Sequence, residues 1–319
     1  MEISENSAAA RGRRRFCGDV MRDVIRIDRT RGFGDRQIGR LAYGCWRFAG
    51  SPVAEAREKV EAALSIGANL LATADIYGFG AEGFGDAELR LGALLAESPG
   101  LRDDVVLVTK GGVQIPGPYN SRGTYLIEAC EASLTRLGVE AVDLYLVHRP
   151  DLLASPQEVA AALSRLVTDG KARSVGVSNY SPAQTRALQA MLDVPLTACQ
   201  PEISLLEPAA MQDGVLDLAQ EMGAMPMAWS PLGGGRLFSP DDPQSERVAR
   251  ALATLAEAQD TTVEAVALAW LLAHPAGIVP ILGSQNPTRI RAAAAAYDVT
   301  LTGPEWYALL EASLGAPMP

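Results

Sequence analysis

Short runs rich in aliphatic and β-branched residues alternate with helical patterns along almost the whole chain from residue 41 onward. The candidate strands are 41–45, 69–72, 105–110, 142–148, 173–178, 196–200, 225–229 and 278–282. This alternation is typical of βα units repeated around a parallel sheet. Eight strands are the number that closes a (β/α)₈ barrel, so the pattern predicts an α/β fold of the TIM barrel type.

The helical patterns that separate these strands account for most of the remaining chain. They lie near 54–66, 84–96, 122–137, 156–169, 181–191, 210–222, 262–273 and 287–297. Residues 24–38 are predicted to form a hairpin ahead of the barrel, and 303–313 an extra C-terminal helix packed outside it. A barrel needs about 250 residues. The 319 residues are therefore divided into a flexible arm over 1–20 and a single barrel domain over 21–319.

Charge and cysteine content exclude several classes of protein. A formal net charge of −10 disfavours nucleic-acid binding. The basic cluster 11–15 is not followed by the apolar core of a signal peptide, and no run is long enough to span a bilayer, so we expect a cytoplasmic protein without membrane contact. Four scattered cysteines, without CxxC spacing, predict reduced thiols and no zinc site. The number of subunits is left open.

Polar residues follow several candidate strands at their C-terminal ends, the face where barrel enzymes place their active sites. Tyr77, Lys110 and His148 follow or end the second, third and fourth strands, and Lys110 is one of only three lysines. An ammonium beside a phenol favours the ionised phenolate, which would make Tyr77 a usable general acid. His148 could orient a carbonyl group. The later strands end in Ser178, Asn179, Gln200, Trp229, Ser230 and Ser284.

One motif favours a different fold. Residues 78–83 read GFGAEG, which matches the GxGxxG fingerprint of dinucleotide-binding sheets, and Asp103 lies at a suitable distance downstream. In that fold the acidic residue ends the second strand, whereas Asp103 precedes the candidate strand 105–110. We therefore interpret 78–85 as a loop at the rim of the barrel.

Several of these segments together resemble the aldo-keto reductase family over nearly all of residues 24–315. They are TADIYG at 73–78, VTKG at 108–111, DLYLVH at 143–148, GVSNY at 176–180 and AWSPLG at 228–233. The run 226–238 looks like a bacterial branch of the family described mostly as predicted oxidoreductases. The resemblance implies a (β/α)₈ barrel in which Tyr77, Lys110 and His148 are catalytic.

The chain departs from the family pattern at one catalytic position. The pattern places an aspartate five residues before the tyrosine, where it pairs with the lysine, and Ala72 stands there in this chain. An engineered replacement and a natural variant are both open, and we favour the first. Asp75 is the nearest substitute, but that position is expected to face elsewhere. We therefore expect cofactor binding with slow turnover.

The resemblance also implies a site for NADPH or NADP⁺. Ser178, Asn179 and Gln200 would bind the nicotinamide carboxamide and Trp229 would stack on the ring. Ser230, Leu232 and Gly234 would line the pyrophosphate channel, and Ser284, Asn286 and Arg289 would contact the adenosine 2′-phosphate. Arginine suits a phosphate because its donors form a rigid fork, which favours NADPH over NADH. Gly283 and Ala293 replace polar or basic contacts found in many relatives, which weakens this preference.

The function implied is therefore an NADPH-dependent reduction of an aldehyde or ketone to an alcohol, or the reverse, without a metal. The partner is a small carbonyl or alcohol substrate, and its pocket is predicted to include Trp46, the loops 79–85 and 114–122 and the segment around Phe238. The alternative is a regulatory or sensor protein that binds NADP(H) without efficient turnover. Ala72 supports that alternative because it leaves the lysine without its anionic partner.

Overall fold

A two-stranded hairpin is followed by a closed barrel of eight parallel strands in the computed structural model, which describes residues 24–319. The hairpin strands are β1 (Thr30–Phe33) and β2 (Arg36–Gly39), which pair in antiparallel register. The predicted flexible arm over 1–20, with its basic cluster and Cys17, lies outside the described residues. The hairpin and the barrel confirm the predicted fold class.

The barrel strands follow one another in chain order around the ring, and the last strand pairs with the first. Their bounds are β3 Ala42–Gly44, β4 Leu70–Ala72, β5 Val106–Gly111, β6 Leu144–Val147, β7 Val175–Ser178, β8 Leu196–Gln200, β9 Met225–Ala228 and β10 Val279–Leu282. Every predicted strand is present. The closed ring rules out the dinucleotide-binding sheet that GxGxxG favoured, because 78–83 lies in the loop after β4.

Helices alternate with these strands and surround the barrel. In the part of the chain that the structure describes they are α1 Val53–Leu64, α2 Asp86–Glu97, α3 Leu101–Asp104, α4 Gly123–Leu137, α5 Pro156–Thr168, α6 Pro182–Gln189, α7 Val215–Met222, α8 Pro243–Ala258, α9 Val263–Leu272, α10 Pro287–Ala292 and α11 Gly303–Leu314. Ser155 and Ser181 form capping boxes, and a proline opens each of the helices that follow them. These residues start α5 and α6 because they satisfy amide groups that a helix leaves without partners.

The sequence pattern predicted no helix between 222 and 262, where the structure has α8. Asp242 accepts hydrogen bonds from two amides at its start and Pro243 follows, which is a strong N-terminal signal. Val248, Leu252 and Ala256 are buried at helical spacing along it. The helix α8 packs against α11, the predicted C-terminal helix.

The protein has two apolar cores, one inside the barrel and one between the strands and the surrounding helices. Inside, short and medium side chains from the strands, including Ala42, Ala72 and Ala198, form one buried cluster. Ile38 belongs to this cluster and Phe33 packs against it, so the hairpin closes the N-terminal end of the barrel. In residues 24–319 the opposite end, where the strands finish, is the one that the hairpin leaves open for a site.

Candidate active site

A cavity of about 710 Å³ opens at the C-terminal ends of the barrel strands. All but one of the predicted site residues line it. They are Trp46, Ala72, Tyr77, Lys110, His148, Ser178, Asn179, Gln200, Trp229, Ser230, Leu232, Gly234, Ser284 and Arg289. Asn286 is the exception, and the loops 79–85 and 114–122 also contribute no lining residue.

A phenol and an ammonium meet at the bottom of this cavity. Lys110 lies on β5 and is buried, and its Nζ donates a hydrogen bond to Tyr77 Oη at 2.9 Å. The same Nζ donates to the Thr73 carbonyl at 2.6 Å and lies 4.6 Å from the centre of the Tyr77 ring. The ammonium is therefore held against the phenol by the strand end that carries Thr73. This geometry can stabilise negative charge on the Tyr77 oxygen.

The imidazole of His148 faces the same phenol from the end of β6. The two ring centres are 5.8 Å apart and the rings meet edge to face at 84°. Burial and, secondarily, the positive charges of Lys110 and Arg149 lower the pKa of His148 well below its usual value. The ring is therefore neutral near pH 7 and can donate or accept a hydrogen bond without carrying charge.

No carboxylate pairs with Lys110 within 4.0 Å in residues 24–319. Ala72 ends β4 and lines the cavity with only a methyl group. Asp75 does not line the cavity, and neither of its carboxyl oxygens has a hydrogen-bond partner among the described residues. Burial, followed by repulsion from Glu88, raises the pKa of Asp75 to about 8. Asp75 therefore offers Lys110 no direct replacement.

The residues predicted for the nicotinamide carboxamide form one connected network. Trp229 Nε1 donates to Asn179 Oδ1 at 2.9 Å, and Asn179 Nδ2 donates to Ser178 Oγ at 2.8 Å. Ser178 Oγ in turn donates to the Gln200 carbonyl at 2.9 Å. Asn179 adopts a left-handed backbone with φ of 59°. These contacts use much of the hydrogen-bonding capacity of the Asn179 amide. The Gln200 side chain takes no part in this network, so it is the most available of these side chains to a ligand.

A turn rich in glycine follows β9 along one side of the cavity. Ser230 has a φ of 49°, an uncommon conformation for serine, and Gly234 and Gly235 also have positive φ. A Cβ atom built on Gly234 would meet no atom within 4 Å, so this part of the turn faces open space. Such a backbone lets a ligand approach the main chain closely.

The far end of the cavity is formed by the segment after β10. Ser284 and Arg289 line it, whereas Asn286 Oδ1 accepts hydrogen bonds from the amides of Thr288 and Arg289 and so caps α10. Arg47 reaches the same region and donates to the Gly283 carbonyl at 3.0 Å. The guanidinium of Arg47 also lies 5.0 Å from the ring centre of Trp46.

Sequence reasoning missed three charged residues of the lining: Arg47, Arg149 and Glu264. The first two adjoin predicted residues, Trp46 and His148, and that adjacency was the available signal. Arg149 lies 5.5 Å from the ring centre of Trp229. Glu264 lies in the first turn of a helix whose pattern is otherwise apolar, and no strand-end rule points to it.

Two further expectations concern a metal and a membrane. In residues 24–319 no group of three or more histidine, cysteine or acidic side chains is arranged to hold a metal ion. Over the same residues, no helix is both long and apolar enough to cross a membrane.

Comparison with known proteins gives a consistent set of relatives. The family model described as "Aldo/keto reductase family" matches residues 40–313. A 6-dehydroglucose reductase of Novosphingobium aromaticivorans is 48% identical over 285 residues, which cover 88% of this chain and 94% of that protein. A 6-dehydroglucose reductase of Agrobacterium fabrum is 40% identical over 291 residues, 88% and 95% of the two chains. The solved glycerol dehydrogenase of Gluconobacter oxydans is 27% identical with a TM-score of 0.78, and the match covers 93% and 98%.

Proposed function

This chain belongs to the aldo/keto reductase family, and on that premise we propose that it is an NADP(H)-dependent oxidoreductase that reduces an aldehyde or ketone to an alcohol, or catalyses the reverse reaction. The observation that carries the proposal is the contact of Lys110 Nζ with Tyr77 Oη beside His148, in the cavity at the strand ends. We further propose that turnover is weakened by Ala72.

The cavity fits a nicotinamide dinucleotide in size and in chemistry. Its volume of about 710 Å³ lies within the range of about 300–1,000 Å³ that small-molecule sites span. The turn at Gly234 has open space where a Cβ atom would lie, and Arg47 and Arg289 supply positive charge for phosphates. Gln200 and the network around Asn179 would hold the carboxamide, and Trp229 would hold the ring. When bound, the cofactor would supply the hydride that reduces the carbonyl carbon.

The residues of this chain would handle the carbonyl oxygen. His148 is neutral, so it can donate a hydrogen bond to that oxygen and fix its position without a competing charge. Tyr77 Oη would then give its proton to the oxygen as the alcohol forms. Lys110 would stabilise the resulting phenolate through the hydrogen bond that it donates to the same oxygen.

The absence of a carboxylate beside Lys110 explains why we expect slow turnover. An anionic partner would fix the ammonium from its far side, whereas here the Thr73 carbonyl is its only other hydrogen-bond acceptor among the described residues. A neutral carbonyl holds an ammonium less strongly than a carboxylate does. The position of the Lys110 ammonium therefore depends more on packing around β5 than it would with a carboxylate partner.

The substrate class proposed is a hydroxylated aldehyde. Two relatives at 48% and 40% identity are named 6-dehydroglucose reductases, and the solved neighbour is a glycerol dehydrogenase. Arg149 and Trp46 both line the cavity and would provide a donor and an apolar surface, the pairing that suits a sugar-like molecule.

Consumption of NADPH with a panel of sugar-derived, short-chain and aromatic aldehydes tests the activity. We expect measurable reduction by the unaltered chain, and faster reduction by the Ala72→Asp variant. If both proteins bind NADPH but reduce none of the aldehydes, the enzymatic proposal is wrong. The alternative, a sensor or regulatory protein that binds NADP(H) without turnover, would then account for Lys110 having no carboxylate partner.

The preference for NADPH has its own test. Arg289→Ala removes a guanidinium from the end of the cavity where we place the 2′-phosphate. We expect the dissociation constant of NADPH to rise about tenfold or more while that of NADH changes little. Equal weakening of both cofactors would contradict the role given to Arg289.

A further inference from the structure

Glu264 is the only acidic side chain among the residues that line the cavity within the described chain. The other charged lining residues are cationic: Arg47, Lys110, Arg149 and Arg289. A lone carboxylate in a cavity suited to phosphates is unexpected, because it repels the ligand charge that the arginines attract.

Glu264 and Arg289 lie in α9 and α10, the helices that precede and follow β10, and both line the cavity. Burial raises the pKa of Glu264, and the positive charge of Arg289 opposes that effect. The two side chains nevertheless form no hydrogen bond with each other and no ion pair within 4.0 Å. Both groups therefore remain available to a ligand that lies between or beside them.

The two side chains are carried by ordered elements, which limits how far they can turn away. Thr262 caps α9 just before Glu264, and every residue from Ala265 to Leu272 is buried. The segment with Arg289 begins at Pro287 and is capped by Asn286. The arrangement is therefore a feature of the fold.

A carboxylate and an arginine have opposite preferences for the adenosine ribose. In doubly wound dinucleotide-binding sheets, a different fold, an acidic side chain accepts a hydrogen bond from the free 2′-hydroxyl of NAD, whereas an arginine accommodates the 2′-phosphate of NADP; the same chemistry applies to the ribose in any site. Here both line one cavity, from the two helices that flank β10 in the chain. A 2′-phosphate held by Arg289 would lie in the negative field of Glu264, and a 2′-hydroxyl would not be repelled.

We propose that Glu264 sets the balance between the two cofactors, by repelling the 2′-phosphate that Arg289 attracts, so that the chain binds NADH as well as NADPH. This inference rests on the proposed function only in requiring that a nicotinamide dinucleotide binds in the cavity. It requires no catalytic turnover, and it makes Glu264 a determinant of cofactor choice.

Calorimetric titration of the full chain with NADP⁺ and with NAD⁺ tests the proposal. Glu264→Gln keeps the shape of the side chain and removes its charge, so we expect NADP⁺ to bind about tenfold more tightly and NAD⁺ to bind equally or more weakly. Glu264→Ala should shift the ratio of the two dissociation constants in the same direction. Because the readout is binding, slow turnover does not obscure it.

Glu61→Gln is the matched control, since Glu61 is an exposed residue of α1, the helix that packs against α10. It removes one negative charge from the surface without changing the cavity lining, and we expect less than a twofold change for either cofactor. An unchanged ratio in both Glu264 variants, or equal tightening of both cofactors, would overturn the role of Glu264. If the unaltered chain binds neither dinucleotide, the proposed cofactor site itself is wrong.

Discussion

Two cations, the buried Lys110 and the partly buried Arg136, lie on opposite sides of the same strand, β5, and their partners differ. Outside the barrel, Arg136 Nε donates to Glu88 at 2.7 Å, and Glu88 also accepts a hydrogen bond from Thr109. Inside the barrel, Lys110, the next residue along β5, contacts only the Thr73 carbonyl and Tyr77 Oη among the described polar groups. Arg136 is neutralised by a carboxylate, whereas Lys110 is not.

The difference separates a structural charge from one available for chemistry. The pair of Glu88 and Arg136 joins α2 to α4, and neither residue lines the cavity, so breaking the pair should affect stability. Lys110 lines the cavity, and its ammonium lies against the phenol of Tyr77, where it can stabilise negative charge on the phenolic oxygen. Changes to the two cations should accordingly have separable effects, the first on stability and the second on turnover.

Replacing the phenol should give the largest effect. In Tyr77→Phe the hydroxyl that Lys110 contacts is lost, so we expect turnover to fall about a thousandfold, which is about 4 kcal/mol in activation free energy. Rates are measured by NADPH consumption with the best aldehyde of the panel. Tyr125→Phe, a phenol outside the cavity that donates to the Val113 carbonyl, serves as the control and should retain its rate. Similar losses in both variants would contradict the assignment.

The second-largest effect is expected from breaking the ion pair between Glu88 and Arg136. Arg136→Met leaves the fully buried Glu88 without its positive partner, so we expect the free energy of unfolding to fall by about 3 kcal/mol. Urea denaturation followed by circular dichroism measures it. Arg165→Met, which removes an exposed i,i+4 pair with Asp169, should cost less than about 1 kcal/mol. Equal losses in the two variants would mean that Glu88 and Arg136 do not form a structural pair.

Giving Lys110 an acidic partner sharpens the comparison. Ala72→Asp places a carboxylate on the strand beside β5, and we expect turnover to rise about tenfold, the equivalent of about 1.4 kcal/mol. Ala72→Asn adds the same bulk without the charge and should not reproduce the gain. A rise in both variants would indicate that packing, and not charge, limits the position of Lys110.

Asp75 gives the smallest expected effect, and one that depends on pH. Because burial raises its pKa in the folded state to about 8, from 3.8 in the unfolded chain, the folded state binds the proton more tightly. Stability must therefore fall as pH rises between these values, by about 1 kcal/mol from about pH 6 to about pH 7. Asp75→Asn should flatten this slope in urea denaturation at the two pH values. An identical slope in the variant would show that another group is responsible.

The barrel could be predicted from sequence because its strands are continuous apolar runs and several of the helices between them begin with recognisable caps. The cavity lining could be anticipated from the residues that end those strands, such as Lys110 and Gln200. The contact of Asn286 with phosphate stays a prediction; its side chain caps α10, a role that the sequence pattern of an asparagine before a proline also indicates. Glu264 comes from the start of a helix, and its approach to Arg289 depends on tertiary packing that no local pattern encodes.

The most direct test of the central claim is a single-turnover experiment with NADPH carrying deuterium at both positions of the reactive carbon of its nicotinamide ring, mixed with excess aldehyde. We predict that the alcohol product carries deuterium on the former carbonyl carbon. Tyr77→Phe should bind the cofactor with an unchanged dissociation constant and transfer about a thousandfold more slowly. Tight cofactor binding by the unaltered chain without deuterium transfer, or equally fast transfer by Tyr77→Phe, would contradict the account.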